Sequence, residues 1–88
     1  MKMILAIVDD TQSEWVSRAL LDEDFRVTQL ASTGGFLRGG STTLMVGAED
    51  ELVEKALQIV RQQVPSSDDV DKPNATLFVL NVKGFKRV

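Results

Sequence analysis

Two segments of this chain read as strands that are apolar on both sides, and few small folds can satisfy that pattern. Lys2 to Val8 is a short apolar run closed by Asp9-Asp10. With a strand's period of two, Met3, Leu5 and Ile7 share one side and Ile4, Ala6 and Val8 the other. Ala75 to Val82 behaves the same way, with Leu77 and Val79 facing one way and Phe78, Leu80 and Val82 the other. Strands of this kind are expected where both faces of a sheet are buried.

The segments between them supply two helices and two further strands. Thr11 to Asp24 carries Trp15, Val16, Ala19 and Leu20 on one helical stripe. Thr11 or Ser13 is placed to cap it, with Glu14 in the capping-box position for Thr11. Phe25 to Ser32 and Ser41 to Ala48 return to β character. Asp50 to Val64 is the second helix: Leu52, Val53, Ala56, Leu57, Ile59 and Val60 form its apolar face, and Pro65 follows its end. Pro65 to Asn74 is polar and acidic, so it reads as a loop.

The order β-α-β-β-α-β is the split βαβ, or ferredoxin-like, pattern. It predicts one α+β domain over residues 1–88, a four-stranded antiparallel sheet with two helices on one face. Two helices cover one side of such a sheet, so something else must cover the other. A second copy of the same chain in a closed symmetric assembly is the simplest cover. Size points the same way, because a domain of 88 residues buries only roughly 60–65% of its unfolded surface and is marginal alone. The chain has no cysteine for a disulfide, and with neither cysteine nor histidine it has no thiolate or imidazole metal ligands, so oligomerisation is the remaining route to stability.

Several function classes fall away on composition. A net charge of −3 and a pI near 4.8 do not suit a protein that coats nucleic acid polymers. No apolar run approaches the roughly 20 residues of a membrane span. The Met1 to Val8 segment is too short for a signal peptide and meets Asp9-Asp10 rather than a cleavage site, so the expected location is cytoplasmic. An enzyme without histidine or cysteine needs carboxylates or a lysine with strongly shifted pKa, and no convincing group of them stands out. Asp9-Asp10 and Glu49-Asp50-Glu51 sit where helices begin, which favours negative charge near the helix dipole. Asp68-Asp69 lies in the polar loop. No catalytic residue, metal ligand or cofactor is predicted.

The strongest local signal is Gly34-Gly35-Phe36-Leu37-Arg38-Gly39-Gly40, with four glycines in seven residues. Such backbone adopts positive φ, approaches a ligand closely and can form an anion-binding nest of amides. Phe36 offers a stacking surface for a base, worth about 1–3 kcal/mol. The bland reading is a hairpin loop whose Phe36 rests on a neighbouring subunit. No Lys-Ser or Lys-Thr follows the glycines, and they join strand to strand, so this is neither a P-loop nor a dinucleotide fingerprint. The end of the chain, Lys83-Gly84-Phe85-Lys86-Arg87-Val88, is basic in an acidic protein.

Phe25-Arg26-Val27-Thr28 followed by Thr33-Gly34-Gly35-Phe36-Leu37 resembles the PII-like cyclic di-AMP receptor family of bacteria. Ile4 to Val8, Thr42-Thr43 through Val46-Gly47, Val53 to Leu57 and Ala75 to Leu80 extend the likeness over nearly the whole chain. The resemblance implies ferredoxin-like subunits in a PII-like homotrimer, binding cyclic di-AMP at the subunit interfaces and relaying the signal to a partner protein. By resemblance Arg26 and Thr28 lie on a strand lining the site, Gly35, Phe36 and Leu37 form its loop, and Gly47 is its floor. Ser41 stands where the family usually has an asparagine that reads a base, and the family's long insertion before the last strand is here only Pro65 to Asn74. The other readings are a PII-like or ACT-like sensor of another small anionic metabolite, and a structural trimer without a ligand.

Overall fold

A computed structural model describes residues 1–32, 40–64 and 75–84. The elements follow the expected order: β1 (Lys2–Asp9), α1 (Asp10–Asp22), β2 (Arg26–Ser32), β3 (Ser41–Ala48), a 3-10 turn (Asp50–Leu52), α2 (Val53–Gln63) and β4 (Ala75–Asn81). The four strands form one antiparallel sheet in the order β2-β3-β1-β4, so each helical connection passes over one intervening strand. This is the ferredoxin-like α+β arrangement.

The period of two along β1 and β3 separates a core face from an open face. Ile4, Ala6 and Val8 of β1 and Leu44, Val46 and Ala48 of β3 are buried. They meet Val16 and Leu20 of α1 and Ala56, Leu57 and Val60 of α2 in one cluster. Register places Val27, Ala75 and Leu77 on that same side, and all three lie against the cluster. Thr42 is the buried polar residue of this core, and its hydroxyl hydrogen-bonds the Asp10 carboxylate across the β1–α1 corner.

The open face carries the other half of each alternation. Met3, Leu5 and Ile7 lie beside Leu80, Phe78 and Thr76 of β4 on one flank, and Leu5 lies beside Met45 of β3 on the other. Phe78 is 50% exposed and Leu80 42%. No described helix lies on this face, so the two-sided strands seen in the sequence leave an apolar surface in the isolated subunit.

Helix α1 starts one residue earlier than its periodicity suggests, and a different residue caps it. The Asp9 carboxylate accepts from the Thr11 N–H at 2.9 Å and the Thr11 hydroxyl at 2.8 Å, so Asp9 is the N-cap and Thr11 lies inside the helix. These bonds hold the Asp9 carboxyl below its ordinary value of 3.8, the backbone donor having the larger effect. Trp15, whose helical spacing with Ala19 suggests the core or an interface, is 61% exposed in the single subunit, which removes it from the core and leaves the interface reading. The helix turns Val16 and Leu20 to the sheet, and Trp15 falls outside that stripe.

The end of α1 sets where β2 begins. Phe25 N–H donates to the Leu20 carbonyl at 3.1 Å and Asp24 N–H to Leu21 at 3.0 Å, the two bonds of a Schellman cap. Asp24 adopts φ 67°, the left-handed conformation this cap requires. Phe25 and Leu20 are both buried, supplying the apolar contact that accompanies such a cap. Phe25 therefore belongs to the cap rather than to the strand, and β2 opens on Arg26.

Candidate functional site

Three of the residues expected at a ligand site lie around one hollow on the open face. Arg26 and Thr28 of β2 and Gly47 of β3 line a cavity of about 350 Å³, with Met1, Lys2, Met3, Met45 and Val82 completing its walls. The register explains why they meet. Arg26 pairs with Gly47, which pairs in turn with Met3, so these three form a row across β2, β3 and β1. The next row is Thr28, Met45 and Leu5.

Gly47 shapes the hollow by what it lacks. A Cβ there would come within 3.1 Å of the Met1 Cε, so the missing side chain leaves the space into which the Met1 methyl reaches. Arg26 places a cation on the rim, while the Lys2 side chain shares the parity of Ile4 and its Nζ hydrogen-bonds the Asn81 side chain at the end of β4. Val82 N–H donates to the Met1 carbonyl at 3.1 Å, tying the chain beyond β4 to the start of β1. The Met1 ammonium is 3.0 Å from the Asp50 carboxylate, whose pKa it lowers through that hydrogen bond and its charge. The result is a small apolar hollow with the Thr28 hydroxyl and the Arg26 guanidinium, suited to a flat group that carries an anion.

Ser41 is not in this cluster. It pairs with Asp9 at the opposite end of β3. Gly47 lies six positions further along the strand, about 20 Å at the usual rise. Gly35, Phe36 and Leu37 lie outside the described residues. The segment that contains them joins β3 at Gly40, whose carbonyl accepts from the Asp10 N–H at 3.0 Å. A second hollow of about 290 Å³ between α1 and β2, lined by Ser13, Ser17, Leu21 and Gln29 among others, holds none of the expected residues.

Sequence reasoning missed Lys2, the three methionines and Val82 as parts of one site. Alternation puts Met3 and Met45 each on one face of its strand, but only the β3-β1 register makes them neighbours. Among the described residues, no group of three or more histidine, cysteine or acidic side chains could hold a metal ion, and no helix is long and apolar enough to cross a membrane.

A family model described as cyclic-di-AMP receptor matches residues 1–74. The chain belongs to the cyclic-di-AMP receptor family. That family is one of receptors rather than of enzymes. The fold has a solved counterpart in the crystal structure of a functionally unknown protein from Pediococcus pentosaceus ATCC 25745. The two are 34% identical with a TM-score of 0.80, and the match covers 99% of this chain and 96% of that one.

Proposed function

We propose that this member of the cyclic-di-AMP receptor family is a cytoplasmic bacterial signalling protein. It binds cyclic di-AMP at the interfaces of a PII-like homotrimer and passes the change to a partner protein. The observation that carries this reading is the hollow over Gly47, where Arg26 and Thr28 converge on a space with a positive rim and apolar walls. Arginine beside a hydroxyl suits a phosphodiester, and the apolar walls suit a base.

The positions of the expected residues also support sharing between subunits. Ser41 is about 20 Å along the strand from Gly47, so one ligand in the hollow does not reach it within the same chain. In the proposed trimer, Arg26, Thr28 and Gly47 of one subunit face Ser41 and the Gly35-Phe36-Leu37 segment of its neighbour. The open face supplies the surface for assembly, since Leu5, Ile7, Phe78 and Leu80 lie together on it.

Calorimetric titration with cyclic di-AMP, with cyclic di-GMP and ATP as controls, tests this. Saturation near one ligand per subunit, selective for cyclic di-AMP, is the expected result. Selective binding of another small anion would move the protein to a different metabolite. No heat with any of the three would refute the assignment of a nucleotide ligand and leave a structural trimer as the reading to pursue.

A further inference from the structure

Helix α1 has a second face, turned away from the sheet. Val16 and Leu20 are buried against the core, and Thr11, Glu14, Trp15, Arg18, Leu21 and Asp22, spaced three and four apart, share the opposite side. All six are exposed. Trp15 is 61% exposed and Leu21 53%, and they flank an ion pair in which Arg18 and Glu14 are 2.8 Å apart. A single exposed apolar side chain is ordinary on a protein surface. Two large ones on one helix face form a foothold, and tryptophan is enriched where binding energy concentrates.

Charge indicates the kind of partner. Residues 9–24 hold six carboxylates and one cation, and residues 49–63 hold four carboxylates and two cations. The helical layer therefore carries −7 in a chain of net charge −3, which leaves +4 on the remaining residues. Of the three cations, Arg18 is paired with Glu14 and Lys55 with Glu23 at 3.2 Å. Such a surface repels a nucleic acid, an anionic membrane and the helical layer of a second copy. In the proposed trimer the open sheet faces meet, which leaves the helical layer outward.

We propose that the outer face of α1 docks a basic amphipathic helix of the protein that receives the signal. Trp15 and Leu21 are its apolar anchors, and the carboxylates of the helical layer face the partner's lysines and arginines. The Trp15 ring also accepts a cation over its face, so one basic side chain of the partner can lie on it. The proposal rests on the relay in the reading above and gives the partner a surface and a charge. Its test uses no nucleotide, so the two can fail separately.

Trp15 is the sole tryptophan of the chain, so its fluorescence reports this face alone. In the full-length protein at low salt, cesium is expected to quench it more than iodide does, each measured against its effect on a free tryptophan amide, and added salt should level the two. A ring shielded from both ions and from acrylamide would place Trp15 in a contact between copies and overturn the proposal. The docking probe is a helical peptide of lysine and leucine with its leucines on one side, compared with the same peptide carrying glutamate for lysine. The lysine peptide is expected to bind saturably, to shift the Trp15 emission to the blue, and to bind roughly tenfold more weakly in about 0.3 M salt than in about 0.05 M. By calorimetry, Trp15→Ala is expected to weaken binding roughly tenfold and Leu21→Ser roughly threefold, with circular dichroism unchanged in both. No binding, binding without an emission shift, equal affinity for the glutamate peptide, or wild-type affinity in Trp15→Ala would each overturn the docking surface. Each of those results leaves the cyclic di-AMP assignment standing.

Discussion

Replacing Phe78 with glutamate separates the apolar open face from the rest of the molecule. Phe78 sits mid-strand in β4, opposite Leu5, and is 50% exposed in the isolated subunit. A phenylalanine buries 150–250 Å² when fully covered, so about 100 Å² of it awaits a partner surface. At about 25 cal/mol per Å², covering it contributes roughly 2.5 kcal/mol per subunit and about 7 kcal/mol to a trimer. Losing that is about five powers of ten in the trimer association constant, or a few hundredfold in the midpoint concentration, at 1.4 kcal/mol per tenfold. The glutamate variant adds the burial of three carboxylates against apolar side chains, which deepens the loss. The monomer should keep its fold, because Phe78 is outside the core cluster. Sedimentation equilibrium over a wide concentration range reads the assembly, and circular dichroism checks the fold. A Phe78→Glu protein that stays trimeric at wild-type concentrations would refute the placement of this face inside. A wild-type chain that stays monomeric at high concentration would refute the assembly itself.

Asp24→Gly is expected to stabilise the subunit by up to about 1 kcal/mol in chemical denaturation, because glycine carries no steric penalty at φ 67° in the Schellman cap. Asp9→Asn keeps an acceptor for the Thr11 N–H but removes the charge. The lowered pKa means that Asp9 contributes stability above its ordinary value of 3.8, which is lost as pH falls below it, so the variant's thermal midpoint should fall less steeply between about pH 5 and pH 2. Gly47→Ala brings a Cβ to 3.1 Å from the Met1 methyl, and ligand affinity measured by calorimetry should drop while the melting temperature barely moves. Phe36→Ala should weaken cyclic di-AMP binding by about 1–3 kcal/mol through lost stacking, and unchanged affinity would remove Phe36 from the site.

The architecture was legible because each element carries its own period. Ile4, Ala6 and Val8 alternate with Met3, Leu5 and Ile7, and the helical stripe of α2 delivers Ala56, Leu57 and Val60 to the core as its spacing suggests. Element ends were less legible, because short-range polar geometry decides them. Asp9 outcompetes Thr11 and Ser13 as the cap of α1, and the cap at its other end takes Phe25 away from β2. Trp15 shows that a helical stripe read by hydrophobicity does not separate core from interface, since this position, one step off the core direction, is exposed in the single subunit. Of the residues that the resemblance singled out, Arg26, Thr28 and Gly47 lie around one candidate hollow. What joins them to Met3 and Lys2 is the pairing of β2, β3 and β1, a long-range property that no local window contains.

That pairing has a consequence for how such a receptor works. A subunit this small has no disulfide and leaves an apolar sheet face open, so the proposed assembly would add to the stability of a subunit that folds on its own core. The expected ligand residues fall into two groups at opposite ends of β3, with Gly47 at one end and Ser41 at the other. A ligand shared between the hollow of one subunit and the Ser41 end of its neighbour makes contacts that exist only in the trimer. Ligand affinity and assembly are then a single linked equilibrium, and whatever weakens the interface weakens binding by the same coupling free energy. The row from Arg26 through Gly47 to Met3 crosses β2, β3 and β1, and β1 also carries Leu5 and Ile7 into the open face. In the proposed trimer the strand that would wall the ligand is also the strand that would build the interface, so a change in occupancy would act on the surface that assembly buries.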